Sequence, residues 1–124
     1  MVALERLLPL ILSRWEIAPA GVIGHSDTAP GRKIDPGLRF DWQRLARLRL
    51  SVWPGINGPG DVDEAGFLMA AGQFGYANDD LQSCLDTMRL RFRPQVVGPL
   101  DGVDMAIMQD LARLFPVDAL GLNA

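Results

Sequence analysis

The chain is poor in the residues that carry most enzyme chemistry. Its 124 residues include one histidine, one cysteine and one tyrosine, and its only glutamates are Glu5, Glu16 and Glu64. A lone cysteine, Cys84, excludes an internal disulfide and a thiolate zinc cluster. Its place on the apolar stripe of a predicted helix makes it a buried, inert thiol. Positive charge is not in excess either. Twelve Lys and Arg against fifteen Asp and Glu leave a net charge of −3, which removes the electrostatic case for nucleic acid. Arg44, Arg47 and Arg49 read as a solvated helix face. No apolar run approaches the roughly 20 residues that a membrane span requires. The "LLPLIL" near the start, followed by "APAG", imitates a secretory signal. The run is only six residues long, however, and lies between Glu5 and the charged "SRWE", which argues against one.

What remains is an ordinary globular composition, 48% apolar and 22% charged, enough for one domain or two small ones. Residues 3–15 predict a helix with Leu7, Leu8, Ile11 and Leu12 on its apolar face, starting near Leu8 or kinked at Pro9. "AGVIGHS" is short and β-prone, with Val22 and Ile23 as a buried strand end. A second helix opens at Asp41, a good N-cap, with Trp42, Leu45 and Leu48 on one stripe. Pro54, Gly55, Gly58, Pro59 and Gly60 then break regular structure. They divide the chain into residues 1–52, a linker at 53–62, and residues 63–118.

The second part predicts three helices. Residues 64–74 carry Phe67, Leu68 and Ala71 and end at Gly75. Residues 80–93 carry Leu81, Cys84, Leu85, Met88 and Phe92 behind an Asp79 cap. Residues 102–115 carry Ile107, Met108, Leu111, Leu114 and Phe115 between Asp101 and Pro116. The methionines on these stripes read as core packing, and the three helices as a small bundle.

The candidate chemistry is confined to "GHSDTAPGRKIDPG", residues 24–37. His25 leaves the predicted strand, and Asp35 follows ten residues later across a loop stiffened by Pro30 and Pro36. Imidazole and carboxylate are both zinc ligands, and a catalytic zinc takes three protein ligands and a water. Proline pre-sets the backbone, so two such ligands can be held apart at constant distance. Lys33 lies two residues before Asp35. In extended chain it points the same way, where an ammonium could stabilise an oxyanion. The same residues are also what an ordinary surface turn contains. On that reading Asp27 bonds its own backbone, and Arg32 is a structural or solvated cation.

The whole string resembles the "GHSDIAPGRKTDPG" signature of zinc-dependent N-acetylmuramoyl-L-alanine amidases, whose fold is shared with peptidoglycan-recognition proteins. In that family the string is followed by an aromatic segment that opens the last helix, and "LRFDWQRLA" stands in that place. The resemblance implies that His25 and Asp35 are zinc ligands, and that Lys33 stabilises the transition state. It also implies hydrolysis of the amide between N-acetylmuramic acid and L-alanine, in peptidoglycan or muropeptides. "FLMAAGQFGY", "LQSCLDTMRLRFRP" and "GPLDGVDMAIMQDLARLF" more loosely resemble an appended three-helix peptidoglycan-binding domain. A non-catalytic wall-binding protein with a vestigial amidase segment is the alternative.

The sequence departs from the family in lacking a second histidine ligand, and in having no glutamate where a general base belongs. The resulting expectation is an α/β amidase-domain remnant, mostly helical with one or two short strands, followed by the three-helix bundle. Its zinc site is incomplete, its isolated activity weak or absent, and the missing N-terminal amidase segment belongs to a longer parent chain. The two-part plan suggests the periplasm or cell envelope, with cytoplasmic recycling as the other location.

Overall fold

The computed structural model describes residues 1–28, 36–37, 39–55, 58–77 and 80–117, with the His25 side chain excepted. Six α-helices occur among them. These are α1 (Val2–Trp15), α2 (His25–Thr28), α3 (Trp42–Arg47), α4 (Glu64–Phe74), α5 (Leu81–Phe92) and α6 (Gly102–Leu114), with a 3₁₀ turn at Pro19–Gly21.

The strand expected at Val22–Ile23 is absent, and no strand occurs among the described residues. A strand needs a ladder partner, whereas here the Val22 carbonyl accepts from Ser51 Oγ at 2.8 Å and Arg91 Nη2 at 3.3 Å. Immediately afterwards the chain turns into α2. Ile23 is left exposed.

The helix starts follow side-chain chemistry. Asp41 caps α3 by accepting from Arg44 N at 3.0 Å. The cap of α5 is Asp80, accepting from Ser83 N at 2.9 Å, one residue later than the Asp79 expected; Asp79 lies outside the described residues. On α6, Asp101 and Asp104 form a reciprocal capping box, which satisfies two of the otherwise unbonded N-terminal donors. Gly75 ends α4 at φ +125°, a conformation that costs a glycine nothing and an L side chain a steric penalty. Helix α1 continues through Pro9 although an interior proline costs about 3 kcal/mol, so the helix does not wait until Leu8 to start.

Helices α4, α5 and α6 enclose the larger core. Phe67, Cys84, Leu85, Met88, Met105, Ile107, Met108 and Leu111 are all buried there, in accord with their helical spacing. Leu114 is exposed instead. The second core is small. Trp42, Leu45 and Leu50 are buried, with Leu4, Leu8 and Leu12 of α1 packed against them. Leu50 replaces the expected Leu48, and Leu4 the expected Leu7; both of the latter are about half exposed. No residue of α1 is fully buried. Trp53 packs against both cores and meets Phe92 edge-on, with ring centroids 5.2 Å apart.

The Gly/Pro segment is pinned to α6 at two points. Gly55 N donates to Asp110 Oδ2, and Gly60 N donates to Gly102 O at 2.8 Å. A Cβ on Gly102 would lie 2.6 Å from Gly60 O, so only glycine allows that approach.

Candidate functional site

The turn that begins with His25 is closed by Asp27. Gly24 N donates to Asp27 Oδ2 at 2.8 Å, and Asp27 N donates back to Gly24 O at 3.1 Å. This is the local backbone bonding expected of Asp27, but it is only part of what the carboxylate does. Tyr76 Oη donates to Asp27 Oδ1 at 2.9 Å, and Arg91 Nη1 donates to Oδ2 at 3.2 Å. Asp27 is 5% exposed, Tyr76 and Arg91 3% each. A buried carboxylate is tolerable only when paired and hydrogen-bonded, and this one accepts three bonds, two of them from residues beyond the Gly/Pro segment.

Arg91 is the hub. Besides Asp27 it donates to Ser51 Oγ at 2.9 Å and to the Val22 carbonyl. Its guanidinium lies 4.4 Å from the centroid of the Trp42 ring and 4.9 Å from that of Phe92, the position from which a ring face attracts a cation. One side chain of α5 therefore joins segments around residues 22, 27, 42 and 51. Beside this cluster a cleft of about 410 Å³, lined mainly by apolar side chains including Ile17, Ile23, Phe74, Tyr76 and Phe115, reaches Asp27.

Burial, followed by the neighbouring Asp27 charge, pushes the Tyr76 hydroxyl well above the ordinary tyrosine value of 10.0, only partly offset by Arg91. Neutral Tyr76 therefore contributes stability that is fully present below about pH 10 and is lost as pH rises through the higher folded-state value. Because Tyr76 is the one tyrosine, its ionisation can be followed by ultraviolet absorbance alone. Tyrosinate is expected to appear only together with loss of helical circular dichroism. A simple titration near pH 10 with the helices intact would show the hydroxyl to be accessible.

Of the residues singled out in the sequence, the structure places the His25 backbone at the start of α2. The His25 side chain, and the whole of Lys33 and Asp35, lie outside the described residues. Among the described residues, no group of three or more His, Cys, Asp or Glu side chains is placed to hold a metal ion. Tyr76, Ser51 and Arg91 were not anticipated. One signal did exist, for Arg91 falls at i+7 from Cys84 and i+3 from Met88. A cation on a core stripe implies a buried partner.

No protein-family model matches the chain. The N-acetylmuramoyl-L-alanine amidase AmiD of Escherichia coli is 30% identical over 135 residues, an alignment covering 93% of this chain and 49% of that protein. The solved complex of AmiD with anhydro-N-acetylmuramic acid-L-Ala-D-γ-Glu-L-Lys superposes with a TM-score of 0.79 at 32% identity, covering 90% of this chain and 50% of that one. AmpDh3 of Pseudomonas aeruginosa, in complex with an anhydromuramic pentapeptide, gives a TM-score of 0.79 at 31% identity, covering 93% and 52%. Over about nine-tenths of its length the chain is similar to N-acetylmuramoyl-L-alanine amidases. It spans about half the length of the amidases it matches. A shorter match, 42% identical over 43 residues, joins it to the 1,6-anhydro-N-acetylmuramyl-L-alanine amidase AmpD of Haemophilus influenzae.

Proposed function

We propose that the chain contributes the histidine-and-aspartate side of an N-acetylmuramoyl-L-alanine amidase site, acting on the amide between N-acetylmuramic acid and L-alanine in peptidoglycan or muropeptides. The observation that carries this is the "GHSDTAPGRKIDPG" string within a chain whose sequence and backbone align with such amidases over nine-tenths of its length. His25 and Asp35 would hold zinc. The donor set, one imidazole and one carboxylate, is of zinc type but short of the three protein ligands of a catalytic site. A further imidazole and a general base would come from outside these 124 residues. When bound, zinc supplies Lewis-acid polarisation of a carbonyl and activation of water. Lys33 would place a positive charge against the oxygen that becomes negative as the amide is attacked. Residues 63–118 would serve as a three-helix peptidoglycan-binding-like module, and the cell envelope would be the site of action.

Calorimetry with zinc is the direct test. Uptake by the whole chain is expected to weaken in His25→Ala and Asp35→Ala by at least the roughly 10–100-fold that outer-shell changes cost. Release of stem peptide from muropeptide is expected to be slow, since loss of a positioned base removes about 10²–10⁴-fold in rate, and to vanish in His25→Ala. Zinc uptake indifferent to both substitutions would end this reading.

A further inference from the structure

We infer that Arg91 on α5 is a positioning residue for His25, acting through Asp27, so that the helical half of the chain helps to build the metal side of the site. The inference rests on the reading of His25 as a metal ligand. Two observations support it.

The first is where the guanidinium bonds. Its acceptors come from three separate stretches: the Val22 carbonyl, the Asp27 carboxylate and the Ser51 hydroxyl. Val22 lies three residues before His25 and Asp27 two after, so a single rigid fork holds the chain on both sides of position 25, at the Val22 carbonyl and at the Asp27 side chain. Asp27 in turn closes the His25 turn through its reciprocal bonds with Gly24, while Tyr76 holds its other oxygen.

The second is the placing of the charge itself. A buried ion pair is a poor means of gaining stability, because apolar side chains of similar volume serve as well or better. What an arginine adds is geometry: a planar, always charged fork with five donors in fixed directions. Here Arg91 is 3% exposed and its fork lies against both the Trp42 and the Phe92 ring, which leaves it little freedom to reorient. A lysine would keep the charge but not the fork.

The single histidine makes the test clean, because proton NMR of the whole 124-residue protein shows one imidazole Hε1 signal. Arg91→Lys and Asp27→Asn are expected to move or broaden that signal in metal-free protein, and to weaken zinc binding read from the same signal by about 10–100-fold. Arg93→Ala breaks ion pairs to Asp101 and Asp104 without touching the Asp27 cluster, and is expected to leave both readouts unchanged despite lower stability. A folded Arg91→Lys or Asp27→Asn protein with the wild-type signal and zinc affinity would overturn the inference. Equal responses to Arg93→Ala would do the same, reducing Arg91 to general stabilisation. Should wild type take up no zinc, the metal reading fails by itself; unchanged metal-free spectra in Arg91→Lys would then overturn the positioning role separately.

Discussion

Replacing Asp104 with alanine is expected to cost about 3–5 kcal/mol of stability, the usual consequence of removing one partner from a buried ion pair. Asp104 is fully buried, and its carboxylate accepts from Arg89 Nε at 3.2 Å, Arg89 Nη2 at 2.5 Å and Arg93 Nη1 at 2.7 Å. It also accepts from Asp101 N at 3.1 Å as half of the α6 capping box. Alanine would leave the Arg89 guanidinium, itself 5% exposed, with only the Gly98 and Pro99 carbonyls. It would also open the helix start. For a domain whose total stability is about 5–15 kcal/mol, that is a large fraction. Urea denaturation followed by circular dichroism measures it. Asp86→Ala, on the exposed side of α5, should stay within about 0.5 kcal/mol. Comparable midpoints for the two variants would mean that the Asp104 pair is not an organising element of the helical core.

Arg91→Met is expected to be of similar size, again about 3–5 kcal/mol, because it leaves the Asp27 carboxylate buried without its counter-charge. The added substitution Asp27→Asn should restore part of the loss, since a neutral amide beside an apolar side chain carries no uncompensated charge. The double-mutant cycle therefore predicts a coupling energy of about 0.5–3 kcal/mol. Strict additivity of the two losses would show that the cation and the carboxylate are energetically independent. Because Arg91 lies over the Trp42 ring, the same variant should also change the tryptophan emission before any unfolding occurs.

Helix positions were largely legible in the sequence. The spans 64–74 and 102–115 match α4 and α6 to within a residue, because the Asp101 cap, the Gly75 terminus and the following Pro116 act locally, and a 3.6-residue stripe needs no knowledge of distant partners. The same local reasoning failed at Val22–Ile23. β-propensity describes a half-buried pleated surface, and what it yields depends on a neighbour to pair with. Here the partners of that backbone are a serine 29 residues away and an arginine 69 residues away. The inward face of α1 was misjudged by part of a turn for a related reason. Leu4, Leu8 and Leu12 and their neighbours Leu7 and Ile11 offer two overlapping apolar stripes, and only the position of Trp42 selects between them.

For the site, the string "GHSDTAPGRKIDPG" carried the amidase relationship unaided, since it is a run of contiguous special residues whose chemistry can be read one by one. The role of Asp27 could not be read that way. As a residue beside a turn it bonds its own backbone, and it does so here. Its ion pair with Arg91 and its bond to Tyr76 span 64 and 49 residues.

Amino-acid order alone thus specified the longer helices, most of their caps and the stripes of the larger core, all consequences of interactions reaching no more than a few positions along the chain. Three-dimensional packing chose which carboxylates went inside and which guanidinium met each of them. A buried charge is admissible only where the folded chain happens to deliver its counter-charge, and that meeting is written in no single segment.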